Sequence, residues 1–300
     1  MITNNILDLI GNTPLVNLES TTGFPIYAKA EYLNPGGSIK DRVAKNMIEQ
    51  AEKRGLLKPG MTIVEPTSGN TGIGLSLVGV RKGYRVMIVM PENMSEERKK
   101  IIHALGAELV LTPAKLSIGG AVAKAEEIVG SSSNYFMPQQ FKNPDNPRIH
   151  YEATAQELYT QMKGNVDIFV SGLGSGGTLQ GVATFLKEKS PDIKIVAVEP
   201  KNVSALLGHE PGLHSIQGIG DGFIPEILDT SLIDDIVEVS DEDAIATTRE
   251  LAKVQGLLCG TSSGANVWAC KYIARKYGSH MQIATVLADR IERYFSTGLL

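Results

Sequence analysis

The 300-residue chain is 42% hydrophobic and 21% charged, an ordinary globular balance, and it is longer than one hydrophobic core usually serves, so two packed units are expected. A formal net charge of −4 argues against a broad nucleic-acid surface. No apolar run approaches the length that crosses a bilayer.

The opening Met1-Ile2-Thr3-Asn4-Asn5 has neither the basic segment nor the apolar core of a secretory signal, so a cytoplasmic protein is expected. Strands are expected at residues 13–18 and 25–31, ahead of Asn34-Pro35-Gly36-Gly37-Ser38-Ile39-Lys40-Asp41-Arg42. Proline and paired glycines turn the chain there, and Ser38 stands where a helix N-cap would stand, before a helix over residues 38–54. The Lys40 amine is thereby held at the start of a helix, where the dipole disfavours an ammonium and burial lowers a lysine pKa further. A neutral amine suits Schiff-base formation with an aldehyde cofactor. The plainer alternative is a solvated lysine in a surface helix.

A short strand over residues 62–65 leads into Pro66-Thr67-Ser68-Gly69-Asn70-Thr71-Gly72 and a helix over 71–82. Hydroxyls, an amide and exposed N–H groups there face one spot near a positive helix end, which suits a carboxylate; Asn70 also suits a ring hydroxyl. A plain N-cap loop needs one such polar residue, not four. Next come an apolar strand over 85–90, a helix after Ser95 and a strand over 108–111. The Pro/Asn-rich stretch 143–147 reads as a crossover between two runs of strand and helix.

A strand over 166–171 runs into Gly172-Leu173-Gly174-Ser175-Gly176-Gly177-Thr178 and a helix over 177–189, the context in which backbone amides cradle a phosphate. The loop lacks the Lys-Ser/Thr pair of a Walker A motif. Its match to a dinucleotide fingerprint is poor, because the paired acid would have to be Glu199, followed at once by proline. A phosphate monoester fits it better than a pyrophosphate. A strand over 193–198 and a helix over 241–255, capped by Ser240 and opened by acids, follow. Gly260-Thr261-Ser262-Ser263-Gly264-Ala265-Asn266 precedes a further helix. A serine hydroxyl there bonds a pyridine nitrogen without forcing its protonation, and spacing does not choose between Ser262 and Ser263. Cys259 and Cys270 are too few for a disulfide scaffold, lack metal-site spacing and read as reduced, buried thiols. His103, His150, His209, His214 and His280 show no ligand spacing and read as surface or packing residues; Trp268 reads as core.

Alternating strands and helices, with apolar runs in the strands, indicate an α/β fold of parallel sheets covered on both faces. Together the four loops resemble the cysteine synthase (O-acetylserine sulfhydrylase) family of fold-type II pyridoxal-phosphate enzymes. Ile10-Gly11-Asn12-Thr13-Pro14-Leu15, Gln139-Gln140-Phe141 with Asn143-Pro144, and Gly218-Ile219-Gly220 before Gly222-Phe223-Ile224-Pro225 extend the resemblance over nearly the whole chain. It implies two three-layer parallel-sheet units, tryptophan synthase β-like, with pyridoxal 5'-phosphate between them. The smaller, mobile unit would span 36–142; residues 1–35 and 143–300 would form the larger. Lys40 would hold the cofactor as a Schiff base and move the α-proton. Asn70 would bond the ring hydroxyl, Gly174, Ser175, Gly176, Gly177 and Thr178 the phosphate, and Ser262 would face the ring nitrogen. Thr67, Ser68, Gly69, Thr71 and Gln140 would grip the substrate carboxylate. No metal is implied. The activity implied is β-replacement on a β-substituted L-alanine, with O-acetyl-L-serine and sulfide giving L-cysteine and acetate. The family is usually a homodimer, and its cleft accepts the tail of serine acetyltransferase.

Two segments depart from the family pattern. Asp221 occupies a position where a small residue is common. An acid there would orient water or a thiol, or protonate a poor leaving group, which suits a second activity: release of hydrogen sulfide from L-cysteine, leaving serine or a thioether. The plainer alternative is that Asp221 bonds loop amides and never meets substrate. The run Thr112-Pro113-Ala114-Lys115-Leu116-Ser117-Ile118-Gly119 departs from a Gly-rich, Met-containing segment expected to cover the cofactor.

Overall fold

A computed structural model describes residues 2–297 and 299. It contains two sheets, one of six strands and one of four. The ten strands are β1 (Leu15–Asn17), β2 (Ile26–Ala30), β3 (Thr62–Pro66), β4 (Arg85–Pro91), β5 (Glu108–Thr112), β6 (Tyr135–Phe136), β7 (Ile168–Gly172), β8 (Lys194–Pro200), β9 (Asp235–Val239) and β10 (Ile283–Leu287). The larger sheet runs β1-β2-β10-β7-β8-β9 and the smaller β5-β4-β3-β6. All pairings are parallel except β1 with β2, which is antiparallel. The sheets are parallel as expected but for that edge, where a short connection at residues 18–25 returns the chain directly, as only antiparallel neighbours permit.

The helices are α1 (Glu19–Thr22), α2 (Lys40–Lys53), α3 (Asn70–Arg81), α4 (Glu96–Ala104), α5 (Ser117–Gly130), α6 (Asp145–Ile149), α7 (Ala155–Gln161), α8 (Gly177–Lys189), α9 (Asp241–Gln255) and α10 (Thr261–Tyr277). Apolar residues of α9 and α10 pack on one face of the large sheet, those of α7 and α8 on the other. In the small sheet α2, α3 and α4 cover one face and α5 the other. Strands β3 and β10 are buried along their whole length, which explains their apolar runs. Among the described residues no helix is long and apolar enough to cross a membrane.

Helix α2 begins at Lys40, later than its expected start. Ser38 Oγ accepts from the Lys40 N–H at 3.2 Å, a tighter local turn than a standard cap. The preceding loop is tied down elsewhere. The Gly36 N–H donates to Asp41 Oδ2 at 2.6 Å, the Ile39 N–H to the Ala288 carbonyl at 2.9 Å, and Arg293 Nη1 to the Gly37 carbonyl at 2.7 Å. The lysine-bearing turn is thus anchored to the segment just after β10. Helix α3 lies against it: a Cβ on Gly74 would sit 2.9 Å from the Lys40 carbonyl, so only glycine permits this approach.

Ser240 caps α9 as expected, accepting from the Asp243 N–H at 3.1 Å. Cys259 and Cys270 are free and buried. Trp268 is partly buried on the core and stacks on Tyr272, with ring centroids 5.9 Å apart.

Candidate active site

Strand ends and helix starts from both sheets meet at a cleft of about 430 Å³. Lys40 enters it from the first turn of α2, and its Nζ donates to Ser175 Oγ at 3.0 Å. Burial pushes the Lys40 amine down from 10.5 to about 8, against the opposing pull of Asp221. That is the neutral-amine tendency which Schiff-base chemistry requires.

The loop between β7 and α8 supplies Gly174, Ser175, Gly176 and Thr178 to the cleft wall, with Gly177 opening the helix. Gly176 has φ +84°, a left-handed conformation that turns successive amides toward one point at the helix N-terminus. Asn266 fastens the loop from below, accepting from the Gly172 N–H at 2.8 Å and donating to the Val286 carbonyl at 3.0 Å. Asn146 donates to Ser175 Oγ at 3.1 Å. Behind the loop lies His150, fully buried, its Nε2 3.3 Å from Thr178 Oγ1. Burial, with help from Lys40 and Arg42, holds His150 well below its ordinary value, so it stays neutral. This confirms a packing histidine, but one that supports the loop. Glu199 is occupied otherwise: it accepts from Ser204 Oγ at 2.5 Å and from the amides of Ala205 and Leu206. The acid at the dinucleotide-fingerprint position is thus engaged by its own loop, which agrees with a monoester site.

Across the cleft, the loop between β3 and α3 supplies Thr67, Ser68, Asn70 and Thr71. Thr67 Oγ1 accepts from the Gly69 N–H at 3.0 Å, which shapes the turn. Thr71 Oγ1 donates to Gln140 Oε1 at 2.6 Å, bringing together two residues far apart in sequence. Gln140 is held by Glu65 at the end of β3, whose two carboxylate oxygens accept from the Gln139 and Gln140 N–H groups at 2.8 Å each. Gln139 sits at φ 60°, an uncommon conformation for a side-chain-bearing residue that this clamp sustains. Burial raises the Glu65 carboxyl to about 7 although both amides favour its charged form.

The two serines in the first turn of α10 separate clearly. Ser263 Oγ accepts from the Ala288 N–H at 2.9 Å, so it serves the backbone after β10, while Ser262 lines the cleft. Asn70 donates through Nδ2 to Asp289 Oδ2 at 2.7 Å, and its buried Oδ1 has no partner among the described residues. Pyridoxal phosphate fits this donor set: a depressed lysine amine for its aldehyde, a glycine-rich helix start for its phosphate, an unpaired amide oxygen for its ring hydroxyl and a serine for its ring nitrogen. Among the described residues no three acidic, histidine or cysteine side chains cluster as metal ligands.

Asp221 lines the same cleft, and burial raises its carboxyl, with Lys40 and then His214 pulling the other way. His214 also lines the cleft and donates from Nε2 to the Gly220 carbonyl at 3.0 Å, which steadies the turn carrying Asp221. Lys115, Ser117 and Ile118 of the atypical 112–119 run border the opening. Ser117 has φ 49°. Glu65, Arg98, Gln217 and Asp289 gave no signal in the sequence as neighbours of the cleft, because each acts through a partner distant in the chain, and His214 gave none because it bonds a backbone carbonyl of its own loop.

Residues 6–289 match the family model described as pyridoxal-phosphate dependent enzyme. The chain is 48% identical to a Staphylococcus aureus protein named cysteine synthase, over 99% of this chain and 96% of that one. A crystal structure of cysteine synthase from Entamoeba histolytica superposes with a TM-score of 0.95 at 45% identity, covering 100% of this chain and 91% of that one. A hydrogen sulfide-producing enzyme from Fusobacterium nucleatum superposes with a TM-score of 0.95 at 42% identity, covering 98% and 100%.

Proposed function

We propose that this chain, which belongs to the pyridoxal-phosphate dependent enzyme family and has the fold-type II architecture, catalyses β-replacement to make L-cysteine from O-acetyl-L-serine and sulfide. The observation that carries the reading is Lys40: a depressed amine 3.0 Å from Ser175 of the phosphate-type loop, in a cleft that also holds a carboxylate-type loop.

In this reading the loop from Gly174 to Thr178 binds the cofactor phosphate, Asn70 meets the ring hydroxyl and Ser262 the ring nitrogen. Thr67, Ser68, Gly69, Thr71 and Gln140 hold the substrate carboxylate, with the Thr71–Gln140 bond keeping both side chains in place before substrate arrives. The bound cofactor supplies an electron sink for the pair left when Cα loses its proton. The Lys40 amine, neutral above about pH 8, takes that proton and later returns it to Cα. Residues 36–142 form the smaller unit that closes over substrate and keeps water out. The enzyme works in the cytoplasm as a homodimer, with serine acetyltransferase as a partner for its cleft.

A second reading is favoured by Asp221. An acid that lines the cleft with Lys40 and holds its proton more tightly than usual is suited to protonating a leaving hydrosulfide. This reading adds release of hydrogen sulfide from L-cysteine, with water or a thiol taking its place. Measuring cysteine formed from O-acetyl-L-serine plus sulfide beside sulfide released from cysteine tests both. Faster synthesis supports the first reading; sulfide release without synthesis overturns it.

A further inference from the structure

Asn70 and Asp289 are 219 positions apart yet joined by a 2.7 Å hydrogen bond, and Asp289 sits inside a polar cluster that the proposed chemistry does not use. Asp289 is fully buried. Its Oδ2 also accepts from the Tyr294 hydroxyl at 2.6 Å. Arg98 from α4 and Arg293 each bring a guanidinium nitrogen to 3.9 Å, and the Arg98 guanidinium lies over the Tyr294 ring, 4.9 Å from its centroid. Arg98 also donates to Gln217. Asp41 also faces Arg293, and Cys259 is a further titratable neighbour: burial with the Asp289 charge pushes its thiol up to about 12, so it is neutral. Lys40 and Asp221 line the same cleft as Asn70.

Asp289 Oδ2 accepts from both Asn70 Nδ2 and the Tyr294 hydroxyl, so it dictates how the Asn70 amide is turned. Nδ2 must face Asp289, and Oδ1 with one remaining N–H is left for the cleft. Nothing else fixes that choice, because Asn70 Oδ1 has no partner of its own among the described residues. We propose that Asp289 is a positioning residue for the cofactor: through Asn70 it sets which atom meets the ring hydroxyl and transmits its negative charge to the cofactor's proton. The inference rests on the family's cofactor and not on which donor or acceptor is used, so failure of the cysteine-synthesis reading leaves it standing.

The test is a pH titration of the holoenzyme's visible cofactor band, with no substrate present. A carboxylate's field raises the proton affinity of its neighbours, so Asp289→Asn lowers the midpoint, by about one pH unit at the effective dielectric of buried sites. The through-space field of Asp289 acts with or without Asn70, and only the part relayed by the Asn70 amide is lost in the Asn70→Ala background, so Asp289→Asn shifts the midpoint less there. Tyr294→Phe keeps the charge and removes one hydrogen bond from it, so the midpoint moves the opposite way. This variant serves also if Asp289→Asn does not fold. An unchanged midpoint in folded Asp289→Asn, an equal shift in both backgrounds, or a downward shift in Tyr294→Phe overturns the proposal.

Discussion

Lys40 and Asp221 face one cleft, and burial drives both toward their neutral forms: the amine falls to about 8 while the carboxyl rises. Their mutual attraction opposes both shifts without reversing either. Shifts in those two directions are what a base at Cα and an acid at the leaving group require.

Capture of pyridoxal phosphate by the cofactor-free protein is predicted to follow the neutral fraction of Lys40. The rate rises with pH, is half-maximal near pH 8 and levels off above it. Appearance of the visible band after mixing, followed from pH 6 to 11, measures this. A rate still climbing beyond pH 10 would belong to an unshifted lysine.

Asp221→Asn removes the acid and keeps the shape. Sulfide release from cysteine is expected to fall by a factor at the low end of general-acid effects, about 10²-fold, and to fall more than synthesis from O-acetylserine. The ratio of the two rates is the readout. Equal losses in both reactions would assign Asp221 to the loop rather than to the leaving group.

Glu65 couples the Gln139–Gln140 turn to pH. Its folded value, about 7, lies above the ordinary 4.5, so protonation favours the fold. That stabilisation is complete below about pH 4.5 and is lost as pH rises through about 7. Asp41 and Asp221 act in the same sense and remain in a Glu65→Gln variant, so the difference between the two proteins isolates Glu65. Denaturant unfolding between pH 5 and 7 is expected to show a wild-type slope steeper by up to about 1.4 kcal/mol per pH unit.

Thr71→Val removes the donor from Gln140 Oε1 while keeping the side-chain shape. Leaving that buried acceptor unpaired costs about 1–3 kcal/mol. Thermal unfolding is expected several degrees lower, and KM for the amino-acid donor higher.

The cleft was legible where a short local motif makes it. Lys40 and the loops 67–71, 174–178 and 260–266 each lie between a strand or turn and a helix start, so residue order alone announces them. Asp289 beneath Asn70, Glu65 beneath Gln140 and Gln217 against Arg98 were not legible, because each contact closes a long chain separation that composition does not encode. The choice between Ser262 and Ser263 needed the Ala288 amide, which only the path after β10 supplies. Strand β9 was missed for a different reason: its alternating Asp235-Ile236-Val237-Glu238-Val239 lies at a sheet edge and lacks the apolar run of the buried strands.

Reductive trapping of the holoenzyme with borohydride, followed by peptide mass mapping, locates the lysine that holds the cofactor. A single pyridoxyl group on Lys40 is expected, with none formed in Lys40→Ala. A pyridoxyl group on another lysine, with Lys40 unmodified, would contradict that assignment.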